Sequence, residues 1–179
     1  DCGLDNEETD PENFIPALQA CNLVPNSNGW IIAYGFSIYT LFDAVRPPKE
    51  ILDDVFPSTP AVIIEETSHA VWVNSAGLAA AGITALSPDP VGGHIVMEAG
   101  DPNGMLLDNA GDAVLSLALA TNSTLEQDNY DGMVNIGFPL LRSNGITSVC
   151  EGRTYWKRNY VQTWQQLKAD GHLTARTVL

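Results

Sequence analysis

Glu65-Glu66-Thr67-Ser68-His69-Ala70-Val71-Trp72-Val73-Asn74-Ser75-Ala76-Gly77-Leu78-Ala79-Ala80-Ala81-Gly82-Ile83-Thr84 is the stretch from which the rest of this chain is read. Just before it, Ala61-Val62-Ile63-Ile64-Glu65 is a β-branched run bounded by Pro60 and reads as a buried strand. His69 to Val73 reads as extended, Asn74 or Ser75 as the cap of an alanine-rich helical turn to Ala81, and Gly82 as its stop. Toward the N-terminus, Gly29 to Gly35 is a second short strand and Pro48 to Val55 a short helix. Asp10-Pro11 opens a capped helix that carries Phe14, Ile15, Leu18 and Cys21 on one face. This half of the chain therefore reads strand, helix, strand.

Toward the C-terminus, Pro88 to Gly93 is a loop, and His94–Glu98 and Met105–Leu107 flank Gly100-Asp101-Pro102-Asn103-Gly104 as a hairpin around an Asn–Gly signal. A long helix is expected from Thr124, with a Thr124-x-x-Gln127 capping box, to Ser143, kinked at Pro139 and stopped at Asn144-Gly145. Ile146 to Cys150 is then a strand, Tyr155 to Ala169 a helix and Leu173 to Leu179 a strand, a βαβ unit that requires a parallel pair. The fold class is α/β. Three segments follow: residues 1–65 with the early strands and helices, 66–110 as an inserted small α+β subdomain, and 111–179 as a helix and the βαβ unit.

Composition narrows the function. With 22 acidic against 8 basic residues and a formal charge of −14, the chain is a poor match for a phosphate backbone, so nucleic acid is not an expected partner. No run approaches the roughly 20 apolar residues of a membrane span. Cys2, Cys21 and Cys150 form no C-x-x-C pair, and an odd count fits poorly with a disulfide scaffold, so a reducing, cytoplasmic setting is the expectation. Gly92-Gly93 and the glycines of 100–104 lack phosphate-loop spacing.

A hydrolytic metal site needs three or more His, Cys or carboxylate ligands at one point. The only histidines are His69, His94 and His172, with no paired spacing, so the residues by themselves assign no metal ligand. His69 follows a strand end and is the leading catalytic candidate, as a group that hydrogen-bonds a substrate carbonyl or pairs with a carboxylate; the plain alternative is a loop histidine held by backbone. Asn74 is either a helix cap or a substrate-binding amide. Trp72 is either a core anchor or, beside His69, part of a pocket wall. Cys150 reads as an inert strand-end thiol, and Ser68-His69 lacks the G-x-S-x-G elbow of a serine hydrolase. Asn122-Ser123-Thr124 matches a glycosylation triplet.

The opening stretch resembles the GH-A-x-W-V-N-S-A-A-L-x-x-A-G-I segment of amidohydrolase family 3, the YtcJ-like branch of the metal-dependent hydrolases. Pro88-Asp89-Pro90-Val91-Gly92-Gly93-His94-Ile95, Asn103-Gly104-Met105-Leu106 and Gly145-Ile146-Thr147-Ser148-Val149 continue the resemblance in order. It implies part of a metal-dependent-hydrolase (β/α)8 barrel. A whole barrel takes about 250 residues, so 179 imply a fragment. It further implies hydrolysis of an amide or related C–N bond by water activated on a divalent metal, zinc by expectation, with a small amide-like substrate. The first ligands, an H-x-H, are expected before Asp1, and a carboxylated lysine, two histidines and an aspartate after Leu179. No metal is expected on the fragment, which should be inactive alone. Glu151, directly after a strand, sits where barrel enzymes place working residues and is the second catalytic candidate, against a plain salt bridge to Arg153 or Arg158. The family often has histidine before this acidic residue; here Cys150 stands in its place. The rival readings are a non-catalytic α+β binding module and a barrel relative that has lost its metal. Open strand edges imply self-association or pairing with a complementary segment.

Overall fold

The computed structural model describes residues 2–119, 125–152 and 160–178. Two compact units result, Asp1–Thr121 and Asn122–Leu179.

The first unit is built on five strands: β1 (Ile31–Tyr34), β2 (Ala61–Ile64), β3 (Ala70–Val73), β4 (Gly93–Glu98) and β5 (Asp101–Asp108), in the order β1-β2-β3-β5-β4. β1 and β2 are parallel, with Ile31 opposite Ala61; β3 then pairs antiparallel with β2, β5 with β3, and β4 with β5. Thus all three strands of the 66–110 segment continue the sheet that β1 and β2 begin.

Strand alternation divides the core. Ile63, Trp72 and Met105 point to one side, where α1 (Phe14–Ala20), α2 (Ile38–Phe42) and α3 (Pro48–Asp53) supply Phe14, Leu18, Leu41, Ile51 and Leu52. Val62, Val71, Val73 and Leu106 point to the other, under α4 (Ser75–Ala80) and α5 (Asn109–Leu119) with Leu78, Val114 and Leu115. Both faces are covered, which explains why β2 and β3 are apolar throughout rather than alternating.

Several expected elements are corrected. The hairpin turns at Ala99-Gly100, not over Gly100–Gly104: Glu98 faces Asp101, and Ala99 (φ 50°) and Gly100 (φ 85°) are both left-handed, as a two-residue turn demands. The Asn103-Gly104 signal marks a bulge instead, since β5 takes four steps from Pro102 to Leu106 where β4 takes two from Met97 to Ile95. Asn103 Oδ1 accepts from the Met105 N–H at 2.9 Å, and Gly104 at φ 101° has no room for a Cβ against Val73 O, 2.6 Å away. The cysteines are corrected too: Cys2 and Cys21 form a disulfide, because the end of α1 brings the two Cα atoms to 5.6 Å. Cys150 is free and exposed.

In the second unit the expected long helix is α6 (Leu125–Gly132) and α7 (Phe138–Ser143), joined by a π-helical turn over Met133–Gly137. Pro139 has no N–H to donate, and just before it the Phe138 N–H reaches back five residues to Met133 O. The Thr124 cap, the glycosylation triplet, Arg153, Trp156 and Arg158 lie outside the described residues. β6 (Ser148–Cys150), α8 (Tyr160–Ala169) and β7 (Arg176–Val178) form the expected βαβ unit, with Ser148 opposite Arg176 in a parallel pair. Phe138, Leu167 and Ala175 are its core.

Candidate functional site

The turn from β2 to β3 delivers His69. Glu65, only 3% exposed, closes this turn: its carboxylate accepts from the Thr67 N–H (2.9 Å), the Thr67 hydroxyl (2.6 Å) and the His69 N–H (3.3 Å). Ser68 takes φ 62°, and the ring of His69 emerges with its side chain 73% exposed. Its Nδ1 pairs with Asp108 Oδ1 at 2.8 Å, while the His69 carbonyl accepts from the Asp108 N–H at 2.7 Å. A carboxylate on Nδ1 fixes the ring and presents Nε2, the arrangement in which histidine exchanges a proton or hydrogen-bonds a carbonyl.

Along the C-terminal ends of the parallel strands β1 and β2 runs a cleft of about 570 Å³, walled by Asn6, Tyr34, Gly35, Glu65, Glu66 and Ser68. The Asn6 side-chain amide donates to the Glu66 carboxylate across it. This is where open α/β sheets bind ligands. A second exposed pair, His94 Nδ1 with Asp89 Oδ2 at 2.7 Å, lies apart from it; the Ile95 N–H and then His94 hold the Asp89 carboxyl below its ordinary range.

Trp72 and Asn74, the other candidates on this stretch, are placed in the interior. Trp72 has 0% exposure, packs on Phe14 and Phe36, and donates its indole N–H to Pro48 O at 2.7 Å. Asn74, also 0% exposed, caps α4 and ties three segments: Oδ1 accepts from Gly77 N (2.8 Å) and Ala61 N (2.9 Å), and Nδ2 donates to Phe56 O (2.7 Å) and Thr59 O (2.9 Å). All four hydrogen-bonding capacities of the amide are used. The structure brings His69 to Asp108, a residue the sequence reading did not single out, 39 positions away.

Glu151 belongs to the second unit. It follows β6, its N–H donates to Val178 O at 2.9 Å, and its side chain lines a cavity of about 410 Å³ with Asp128, Asn129, Met133, Thr163 and Trp164. On the rim of the same unit Tyr130 donates to Asp170 (2.8 Å) and meets His172 Nδ1 (2.9 Å). The bond to Asp170 raises the Tyr130 phenol above its ordinary value. Among the described residues no three His, Cys, Asp or Glu side chains converge as a metal would need, and no helix is long and apolar enough to cross a membrane.

A mixed α/β chain with clefts at the carboxyl ends of its parallel strands is the frame on which hydrolases of many kinds are built. Solved structures share the fold: 98% of the chain superposes on 32% of an uncharacterized metal-dependent hydrolase from Pyrococcus horikoshii (TM-score 0.58, 16% identity) and on a like share of one from Pyrococcus furiosus (TM-score 0.53, 16% identity). The profile of the Amidohydrolase family matches residues 4–179, and the chain belongs to that family. It is similar to the putative amidohydrolase YtcJ of Bacillus subtilis, at 42% identity over 108 residues, and to the N-substituted formamide deformylase of Arthrobacter pascens, at 33% over 109. Each alignment takes in 60% of this chain and 20% of the relative, so the aligned part of the chain spans about a fifth of the length of these relatives.

Proposed function

We propose that this chain is the substrate-side part of a metal-dependent amidohydrolase whose complete form hydrolyses an amide or related C–N bond, and that its strands belong to a (β/α)8 barrel. The observation that carries the reading is the family match over residues 4–179. The described donors do not fit a metal site; in this reading the divalent ion, zinc by expectation, is held by residues outside the chain, and no step of the reaction is assigned to it here.

The chain's own groups have definite tasks. His69, its Nδ1 held by Asp108, offers Nε2 to a substrate carbonyl or to a proton in transit. Glu151, at the end of β6, supplies a carboxylate to a cavity of substrate size. Trp72 and Asn74 act as scaffold, keeping β3 in register beneath His69. The Cys2–Cys21 bond supports an oxidising compartment rather than the cytoplasm.

The test uses the complete protein that carries this chain. Its metal content is measured by elemental analysis, and hydrolysis is followed over a panel of N-substituted formamides and acetamides, before and after chelation. Chelator-sensitive turnover by the complete protein, with none by the 179 residues alone, is the expected result. Turnover by the 179 residues, or a complete protein without metal or amide hydrolysis, would overturn the proposal.

A further inference from the structure

Residues 2–6 run beside β1 as an added edge strand, and through Leu4 and Asn6 they make one wall of the cleft at the carboxyl ends of β1 and β2. Their contact with β1 is one isolated parallel bridge, Gly3 with Tyr34. The Leu4 N–H donates to Tyr34 O at 2.8 Å, and the Tyr34 N–H donates to Cys2 O at 3.3 Å. Cys2 (2% exposed) and Leu4 (7%) turn inward around an exposed Gly3, as on a strand with one buried face. Gly35 receives this strand at close range, since a Cβ there would lie 2.7 Å from Leu4 O. Further along, the Asn6 side-chain amide reaches Glu66 across the cleft, and Glu8 O accepts from the Thr40 hydroxyl.

Four hydrogen bonds and two buried side chains are a modest hold against the conformational entropy of ordering this arm. The covalent bond changes the balance. Cys2 is tied to Cys21 at the end of α1, and α1 is seated in the core by Phe14 and Leu18. Arg46 fixes the far end of the arm by pairing with Glu12. An arm fastened at both ends gains little freedom on leaving β1, so its opening is suppressed; once the bond is cut, the same opening gains the entropy of a free segment.

We propose that the Cys2–Cys21 disulfide is a redox latch on this wall of the cleft. Oxidised, it keeps residues 2–8 on β1 and the cleft at about 570 Å³. Reduced, the arm leaves β1, the bond from Asn6 to Glu66 is lost, and the cleft opens on that side. The reductant is a dithiol. One of its thiolates attacks Cys21 Sγ, which is half-buried, while Cys2, 2% exposed, is closed to direct attack. The S–S bond breaks with Cys2 Sγ as the leaving group, and the second thiol then displaces Cys21 from the mixed disulfide. Two electrons and two protons pass from the dithiol to the two cysteines, and the dithiol becomes a cyclic disulfide. Nothing in this rests on the amidohydrolase reading.

Amide hydrogen exchange, followed by NMR on the 179-residue chain when oxidised and again in dithiothreitol, tests the latch. The Leu4 and Tyr34 amides make the bridge to β1, and reduction should speed their exchange about a hundredfold. That gain should exceed, by at least about tenfold, the gain at the Trp72 indole N–H, which donates to Pro48 O inside the core. The Asn6 side-chain amide should move to the position of a solvated amide. Cys21→Ser, without reductant, should reproduce all three changes. Unchanged exchange at Leu4 and Tyr34 on reduction would show that the arm stays in place without the bond. An equal rise at Trp72 would show that the bond secures the whole first unit and not the arm. Either result overturns the proposal, and should Cys21→Ser fail to fold, the reduced form of the unaltered chain decides.

Discussion

Replacing Asn74 by alanine separates a structural role for this residue from a substrate-binding one. The change deletes four hydrogen bonds at a position with 0% exposure. Two of the partners left behind, the N–H groups of Gly77 and Ala61, are themselves buried, and each buried donor without an acceptor costs about 1–3 kcal/mol. The carbonyls of Phe56 and Thr59 belong to partly exposed residues and can turn to water, so they add little. The expected loss is therefore about 2–6 kcal/mol, a large share of the roughly 5–15 kcal/mol that holds a domain together. Urea denaturation followed by circular dichroism measures it. Ser75→Ala is the control: it removes only the exposed hydroxyl contact to Asp53 (2.6 Å) and should cost under about 1 kcal/mol. Asn74→Asp keeps the two accepted bonds but loses the two donated ones and buries a charge. Burial raises the folded-state pKa of that carboxyl, so its deficit should widen as pH rises above the ordinary aspartate range, where the unfolded chain ionises freely. A loss for Asn74→Ala below about 1 kcal/mol, with amide turnover of the complete protein abolished, would falsify the structural assignment and restore Asn74 as a substrate ligand.

Four further outcomes are expected. Gly93→Ala should cost about 2–3 kcal/mol or more by thermal denaturation, because a Cβ there would fall on the Ala110 backbone nitrogen and 3.0 Å from Asn109 N, which only parting β4 from α5 can relieve. Gly100→Ala, at φ 85° but in open space, should cost only about 1–2 kcal/mol. Arg46→Leu should flatten the acid limb of a stability–pH profile: the Arg46 side chain lowers the Glu12 carboxyl below its ordinary 4.5, a contribution fully present above that value and lost as pH falls through the lowered one. An unchanged acid limb would show that the pair contributes nothing. Iodoacetamide should label one cysteine, Cys150, in the oxidised chain and three after reduction, and reduction should lower stability by about 3 kcal/mol for a loop of this length. Three labels without reductant would refute the disulfide.

The elements with strong period or strong punctuation were legible in the sequence. The β-branched runs at β1 and β2, the Asn74 cap, the Gly82 stop (φ 68°) and the β6-α8-β7 unit stand close to where their residues put them. α2 was not, since its five residues include the exposed aromatics Tyr39 and Phe42 and its flanking Ser37 makes no side-chain cap bond. Asn103-Gly104 carried a true signal with the wrong assignment: the same left-handed glycine serves a turn or a bulge, and the choice depends on which strand lies opposite. The disulfide was hidden for a related reason, because a separation of 19 residues says nothing of where the end of α1 will bring Cys21. Of the candidate site, His69 was legible as a strand-edge histidine, whereas Asp108 was not, because only the β3–β5 pairing brings it there.

Glu65 and Glu151 show why position alone does not define a working carboxylate. Each follows a parallel strand and each lines a cleft at its carboxyl end, the place where α/β folds put ligands. Glu65 spends Oε2 on donors of its own turn and is buried, so its work is to shape the β2–β3 connection and set the path of the backbone into His69. Glu151 is only half-buried and lines its cavity together with Asn129, Met133 and Trp164. The first carboxylate is taken up by its own turn; the second borders a cavity. What separates them is the local surroundings, set by the Thr67–His69 turn after β2 in one case and by the α6 and α8 residues that line the cavity in the other.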